Sequence, residues 1–212
     1  MNDLDADEPD KTYKHGTTEY HVAEARRGGP AAFAMLYERL APSLETWAKM
    51  KVGRTLKDFV EPEDVVQEVW WRAMDSFSRY DPKTSGFRPW LFQIATHVML
   101  EWNRRRRRKA RIEPKALAQR LSSLPPVLAR QATSVGQNLA LKDSIEKLLE
   151  VVQRMSEKDQ EAFMHCGLEG RKPVEVAVML GTSEDAIEKR WARLRTKLKT
   201  ESIWSEFGLV DD

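Results

Sequence analysis

Apolar residues in this chain recur in steps of three and four, and the pattern is interrupted at length only once. Phe33, Leu36, Tyr37, Leu40, Leu44 and Trp47 make one such run, and Leu91, Ile94, Ala95, Val98 and Trp102 make another. With 3.6 residues to a turn, that spacing puts each set on one side of a helix. A half-buried strand needs alternation instead, and residues 24–111 contain none. From Arg111 to about Asn138 the periodicity fades among Pro114, Ser122, Ser123, Pro125, Pro126, Thr133, Ser134 and Gly136. That interval is too long for an ordinary loop inside one compact domain. The chain of 212 residues therefore reads as all-α, two small helical domains joined by a flexible linker, with the C-terminal domain a helix-turn-helix.

The expected boundaries are a disordered N-terminal arm over 1–23, a helical domain over 24–111, a linker over 112–137, a second domain over 138–200 and a tail over 201–212. Within the first domain, Gly28-Gly29-Pro30 precedes the first helical run, and a basic, less periodic stretch from Lys49 to Phe59 links it to the next helix. That helix starts near Pro62, which suits a first turn, and continues through Phe77. Tyr80 to Gly86 has loop chemistry, and Pro89 opens a third helix. The linker has room for one short helix, Lys115 to Leu121.

The second domain opens with Leu139, Leu141, Ile145, Leu148, Leu149 and Val152 at amphipathic spacing. Ser156 and Asp159 resemble a capping box at the head of a helix running to about Gly167. Pro173 to Leu180 follows, with Gly181 as a left-handed stop and Thr182 as the cap of the last helix.

There are 35 Lys+Arg against 33 Asp+Glu, a net charge of +2, so overall charge excludes little. Its distribution says more. Five of the first ten residues are acidic, whereas Arg104 to Arg108 are five consecutive arginines, followed by Lys109 and Arg111. The single cysteine, Cys166, excludes an intramolecular disulfide and a multi-cysteine zinc site, and reads as a buried thiol. Its neighbour His165 diverges from it by about 100° on a helix, which disfavours joint metal ligation. No cofactor is expected. No apolar run approaches the roughly 18 residues of a membrane span, and the acidic start is unlike a secretory signal. A cytoplasmic protein is expected.

Three groups of residues point to binding. On the last helix, Ile187, Trp191, Leu194 and Leu198 face one way, and Glu188, Lys189, Arg190, Arg193, Arg195 and Lys197 cover the remainder. A short helix, a Gly-containing turn and a longer basic helix is the helix-turn-helix arrangement, whose second helix enters the major groove. An ordinary helical hairpin with a solvated face has the same spacing. The arginine run suits phosphate contact, and a basic linker or RNA-binding arm is its alternative. Opposite the buried stripe of the preceding helix stand Gln93, Thr96, His97, Leu100, Glu101 and Arg104. The nearby loop adds Tyr80, Lys83 and Arg88, groups of the kind that hold unstacked bases. Finally, Asp64, Gln67, Glu68 and Arg72 share one polar helix face. With no histidine or second acidic pair beside it, that face fits a protein contact better than catalysis, or plain solvation. No enzyme is expected.

Glu63-Asp64-Val65-Val66-Gln67-Glu68-Val69-Trp70-Trp71-Arg72-Ala73 closely resembles the D-x-x-Q-E-x-F-x-R-A helix of bacterial RNA polymerase sigma factors. Phe87 to Ala95 is similar to the F-x-x-W-L-x-x-I-A segment that follows it, and Ser156 to Leu198 to the region 4 helix-turn-helix. Two such domains and a short linker resemble the extracytoplasmic-function group of the sigma-70 family. The resemblance implies a factor that binds core RNA polymerase, through its clamp and flap regions, and promoter DNA.

Position by position, it implies that Asp64, Gln67, Glu68 and Arg72 contact the clamp helices. Tyr80, Lys83, Arg88, Thr96, His97, Glu101, Arg104 and Arg105 would recognise the −10 element and hold a flipped base. Ser183, Glu184, Asp185, Glu188, Lys189, Arg190 and Arg193 would lie at the −35 major groove, and the linker would thread the polymerase channel. His97 stands where the family usually has Asn, Glu101 where Asp is typical, Glu188 where Lys is, and Lys172 where a capping Ser is. An anti-sigma partner is left open by the resemblance. The competing expectation is a stand-alone helix-turn-helix transcriptional regulator.

Overall fold

One long helix organises the first domain. The structure, a computed structural model, describes residues 16–28, 30–56, 59–108, 139–199 and Phe207. The expected linker helix over 115–121, Lys109, Arg111 and most of the arm and tail lie outside the described residues. Helix α2, Pro30–Thr55, is 26 residues long and runs past Lys49, where the sequence suggests a connecting stretch. Its physical reason is that Ala48, Val52 and Leu56 continue the buried face at steps of four, while Lys49 and Lys51 between them are half-buried and Lys49 pairs with Glu45 at 3.3 Å. Pro42 lies within the helix, lacks a backbone donor, and its carbonyl accepts a bond from Thr46 Oγ1 at 2.9 Å.

Helix α1, Thr18–Arg26, occupies part of the span expected to be disordered. Thr17 Oγ1 accepts the Tyr20 N–H at 3.2 Å, Val22 is buried, and Arg39 Nε donates to Thr18 Oγ1 at 2.9 Å. A cap, an anchor and a tether thus stabilise nine residues whose own periodicity is weak.

Helix α3, Pro62–Ser76, ends in a single 3-10 turn, Phe77–Arg79. Helix α4, Phe87–Arg107, starts two residues before Pro89, which falls in the first turn, where a missing N–H costs no helical bond. Phe77, Tyr80, Phe87 and Trp90 pack as a ring cluster between them, with centroids as close as 4.8 Å for Tyr80 and Trp90.

The second domain holds α5, Leu139–Gln153; α6, Glu157–Ala162; a π-helical turn, Phe163–Leu168; α7, Pro173–Leu180; and α8, Glu184–Lys199. Ser156 Oγ accepts the Asp159 N–H at 3.2 Å, as the cap pattern predicts. Leu139, placed on the apolar face of α5 by spacing, is largely exposed. A Cβ on Gly167 would come within 2.9 Å of Trp191, so this glycine lets α8 approach the π turn. Gly181 has φ +62°, the left-handed stop expected after α7. Ser183, not Thr182, caps α8: its Oγ accepts the Ala186 N–H at 3.3 Å. No strand occurs among the described residues.

The two domains share a core, in which Ile145, Leu148, Val152 and Phe163 join the cluster built on α2. At their junction Glu169, 2% exposed, accepts from Trp47 Nε1 at 2.8 Å and Arg171 Nε at 2.6 Å, and His165 Nδ1 lies 2.9 Å away. Burial pushes the Glu169 pKa up, but His165, Arg171 and Trp47 together outweigh it and bring it to about 2. Because the folded pKa lies below the unfolded one, the stabilisation is present above the ordinary carboxylate value of 4.5 and disappears as pH falls toward 2. Urea melts across that interval should lose on the order of 3 kcal/mol through this group. Glu169→Gln should flatten that part of the profile.

Candidate nucleic-acid interface

Asp64 lies in the first turn of α3 and its carboxylate accepts the Glu61 N–H at 3.4 Å. Burial raises its pKa, the Glu61 hydrogen bond opposes this, and the Glu63 charge adds to the rise. Gln67, one turn on, is half-buried like Asp64 and Arg72. Glu68 is not: it is 2% exposed, and its carboxylate turns toward Arg72, whose Nε donates to it at 2.7 Å. Arg72 Nη2 also donates to Glu101 on α4 at 2.7 Å, and Arg105 Nη2 donates to the other Glu101 oxygen at 2.7 Å. Burial alone would raise the Glu101 pKa, but Arg72 and Arg105 hold it below the usual carboxylate range. Residues that the sequence assigns to two different contacts therefore form one ion network across α3 and α4.

Further along α4, His97 and Arg104 are exposed and Thr96 is half-buried, with Thr96 Oγ1 donating back to the Phe92 carbonyl at 2.9 Å. Arg106, Arg107 and Arg108 continue the exposed cationic end. Their charges oppose the partial negative charge of the helix C-terminus, which lets the arginine run extend α4. In the loop, Lys83 is exposed while Tyr80 and Arg88 are not. Tyr80 is 4% exposed and its hydroxyl donates to the Ser85 carbonyl at 2.9 Å, so its ring is part of the core. Arg88 is 5% exposed and points toward the second domain. A cavity of about 230 Å³ opens beside this loop, between Glu19 and Arg26 of α1 and Tyr80, Pro82 and Phe87. Nothing in the sequence pattern places α1 there.

On α8, Ser183, Glu184, Asp185, Glu188, Lys189 and Arg193 are exposed and Arg190 is half-buried. Lys189 Nζ donates to Asp185 at 2.9 Å, an exposed pair worth about 1 kcal/mol or less. Arg190 Nη1 and Arg193 Nη2 both donate to Asp159 Oδ1, at 2.6 and 2.9 Å. Burial would raise the Asp159 pKa, but Arg190, with Ser156 and Arg193, lowers it. Asp159 was legible as a capping residue, but its pairing with α8 across the fold was not. Cys166 is buried and its thiol is pushed up to about 11 by burial and the Glu169 charge. Neither oxidation nor nucleophilic chemistry is favoured there.

Residues 36–109 match the family model described as Sigma-70 region 2, and residues 145–198 match Sigma-70, region 4. Carrying both regions in that order, the chain belongs to the sigma-70 family of RNA polymerase sigma factors, in the extracytoplasmic-function group. It is 24% identical over 183 residues to the ECF RNA polymerase sigma factor SigD of Mycobacterium tuberculosis, covering 86% of this chain and 82% of that protein. It is 27% identical to RNA polymerase sigma factor CnrH of Cupriavidus metallidurans, covering 84% and 90%. The probable RNA polymerase sigma factor RfaY of Xanthomonas campestris is 30% identical over 149 residues, 69% of this chain but 35% of that longer protein. The solved structure of CnrH in complex with the cytosolic domain of CnrY covers 87% of this chain and 96% of its own, at 26% identity and a TM-score of 0.42. No helix among the described residues is long and apolar enough to cross a membrane.

Arg72→Ala removes a guanidinium donor from the buried Glu68 carboxylate and should cost about 3 kcal/mol in urea unfolding. Glu101→Gln, on the exposed side of the same network, should cost about 1 kcal/mol or less.

Proposed function

We propose that this chain is an initiation factor that joins core RNA polymerase, places it at a bipartite promoter and promotes opening of the duplex. The observation that carries this reading is the presence of two polar helix faces, on α3–α4 and on α8, in two domains that match sigma-70 regions 2 and 4. Its work is binding rather than catalysis.

Asp64 and Gln67 supply polymerase contacts. Glu68 and Arg72 support them from below by tying α3 to α4. Thr96, His97, Glu101, Arg104 and Arg105 present donors and acceptors to the −10 element, while Arg106 to Arg108 take phosphates. Lys83 and the cavity beside Tyr80 and Phe87 provide a place for an unstacked base. At the −35 element, Ser183 fixes the start of α8, and Glu184, Asp185 and Glu188 can accept from cytosine N4. Lys189, Arg190 and Arg193 meet phosphate or guanine once they leave their carboxylate partners. The domain boundaries that serve this division are residues 24–111 for the polymerase and −10 contacts, and 138–200 for the −35 contact.

Runoff transcription by core polymerase on fragments of the host genome, with and without the protein, tests the reading. Discrete new start sites are expected only with it. Asp64→Ala with Gln67→Ala should weaken core polymerase binding by about tenfold, the loss of one or two ordinary hydrogen bonds, with the melting temperature lowered only by the loss of the Asp64–Glu61 cap, about 1 kcal/mol. Unchanged affinity would remove that contact face. Tight duplex binding by the free protein with no polymerase complex would establish the stand-alone regulator instead.

A further inference from the structure

Helix α4 presents one narrow exposed line. Between Phe87 and Arg105 only Gln93, His97, Leu100 and Arg104 are exposed. At about 100° per residue these four fall within about 60° of one another, so they form a single stripe. The stripe is about 16 Å long at 1.5 Å per residue, the height of about five stacked bases along one strand. Gln93, His97 and Arg104 carry an amide, an imidazole and a guanidinium, each able to hydrogen-bond a base edge. Leu100 can do none of this. It is 50% exposed, the one exposed large apolar side chain of α4, while Val98, Met99 and Trp102 around it are buried.

An exposed leucine by itself needs no explanation. This one is set apart by its neighbours. His97 lies one turn before it and Arg104 one turn after it on the same line, and the helix ends in the further exposed arginines Arg106 to Arg108, suited to phosphate. Beside the stripe both Glu101 oxygens are engaged, one by Arg72 and the other by Arg105, at 2.7 Å each. The centre of the line therefore offers neither a donor nor an acceptor. On a DNA base edge the group that complements such a side chain is the C5-methyl of thymine, because the other features that distinguish the base pairs in the major groove are hydrogen-bonding groups. Covering that methyl with Leu100 removes apolar surface of both partners from water.

We propose that Leu100 is a specificity-determining residue of α4 that packs against the C5-methyl group of a thymine in the −10 element. The family resemblance gives roles to His97 and Arg104 on this line and none to Leu100. Placing the thymine in a −10 element rests on the sigma-factor reading; the pairing of Leu100 with a thymine methyl does not. Hydrogen bonds from His97 and Arg104 hold the strand on either side, and the methyl contact discriminates between them.

Deoxyuridine differs from thymidine only by that methyl group, so it isolates the contact. Each −10 thymine of a promoter found by runoff transcription is replaced in turn by deoxyuridine. Transcript yield is then measured with core polymerase at limiting factor, for the full-length wild type, Leu100→Ala and Leu100→Met. The free chain is also titrated with oligothymidylate and with oligodeoxyuridylate of equal length. The expected result is a loss of about fourfold at one −10 thymine for the wild type, the worth of one buried methyl group. Leu100→Ala should show a similar loss on the unmodified promoter and no further loss with deoxyuridine. Leu100→Met restores a long apolar side chain and should recover the methyl dependence. Circular dichroism checks that the variants, altered at an exposed position, keep the fold. Equal yields from thymine and deoxyuridine at every −10 position, or a methyl dependence that Leu100→Ala keeps, would overturn the proposal. If the wild type supports no transcription, the sigma reading falls and the two oligonucleotides decide. Tighter binding of oligothymidylate that Leu100→Ala abolishes upholds the contact; equal binding, or a preference that Leu100→Ala keeps, rejects it.

Discussion

Everything in this fold leans on α2, because that helix is buried nearly all the way round. Leu36, Leu40, Ala41, Leu44, Trp47 and Ala48 are each at most 1% exposed, and so are the polar Ser43 and Thr46 between them. Residues 40–48 are all buried, and nine successive positions at about 100° per residue fall on every side of the helix, so one neighbouring element cannot bury them all. Helices α1, α3 and α4 take part of the surface, and α5 with the π turn takes the rest. A helix of this kind commits the chain to bring its second half back onto the first. It also creates a demand for polar partners in the middle of the core. Thr46 meets that demand within its own helix, through the Pro42 carbonyl, while Ser43 and Trp47 meet it across the domain junction.

The Arg72 network solves a different problem, that of keeping α3 and α4 in register while both present polar residues outward. Glu68 is too buried to be left without donors, and Arg72 satisfies it while also reaching Glu101. Burying one carboxylate in this way is costly on its own and tolerable only with a fixed cation beside it. The consequence for function is geometric. A shift of α3 would be felt at Glu101 and Arg105 through side chains already in contact.

Much of this was legible in the sequence because the physics is local. The buried stripe of α4, the cap at Ser156 and the left-handed Gly181 follow from spacing and from backbone preferences that operate within a few residues. Where expectation and structure diverge, the deciding contact comes from far along the chain. Helix α1 is stabilised by Arg39, and α2 is prolonged by packing at Val52 and Leu56. The burial of Arg88 depends on Leu168 and Phe207. Glu68 looked like part of an exposed polar face because a helical wheel shows its azimuth and not what α4 places opposite it. Thr182 and Ser183 are equally good caps by composition, and only the path of the turn after Gly181 selects Ser183.

The basic residues of α8 illustrate how a weak isolated binding surface suits a two-domain factor. Arg190 and Arg193 pair with Asp159, and Lys189 with Asp185, so in the proposed DNA contact a phosphate would compete with a carboxylate already beside each cation. That exchange reduces the gain from any single DNA contact and penalises binding by the second domain alone. When the first domain is already positioned, the second contact becomes intramolecular, and its effective concentration offsets the exchange. Weak separate grips therefore favour occupancy where both halves are engaged together over occupancy of scattered half-sites. A last helix with uncompensated arginines would bind DNA more strongly but would lose that discrimination, because non-specific phosphate contact would suffice to hold it.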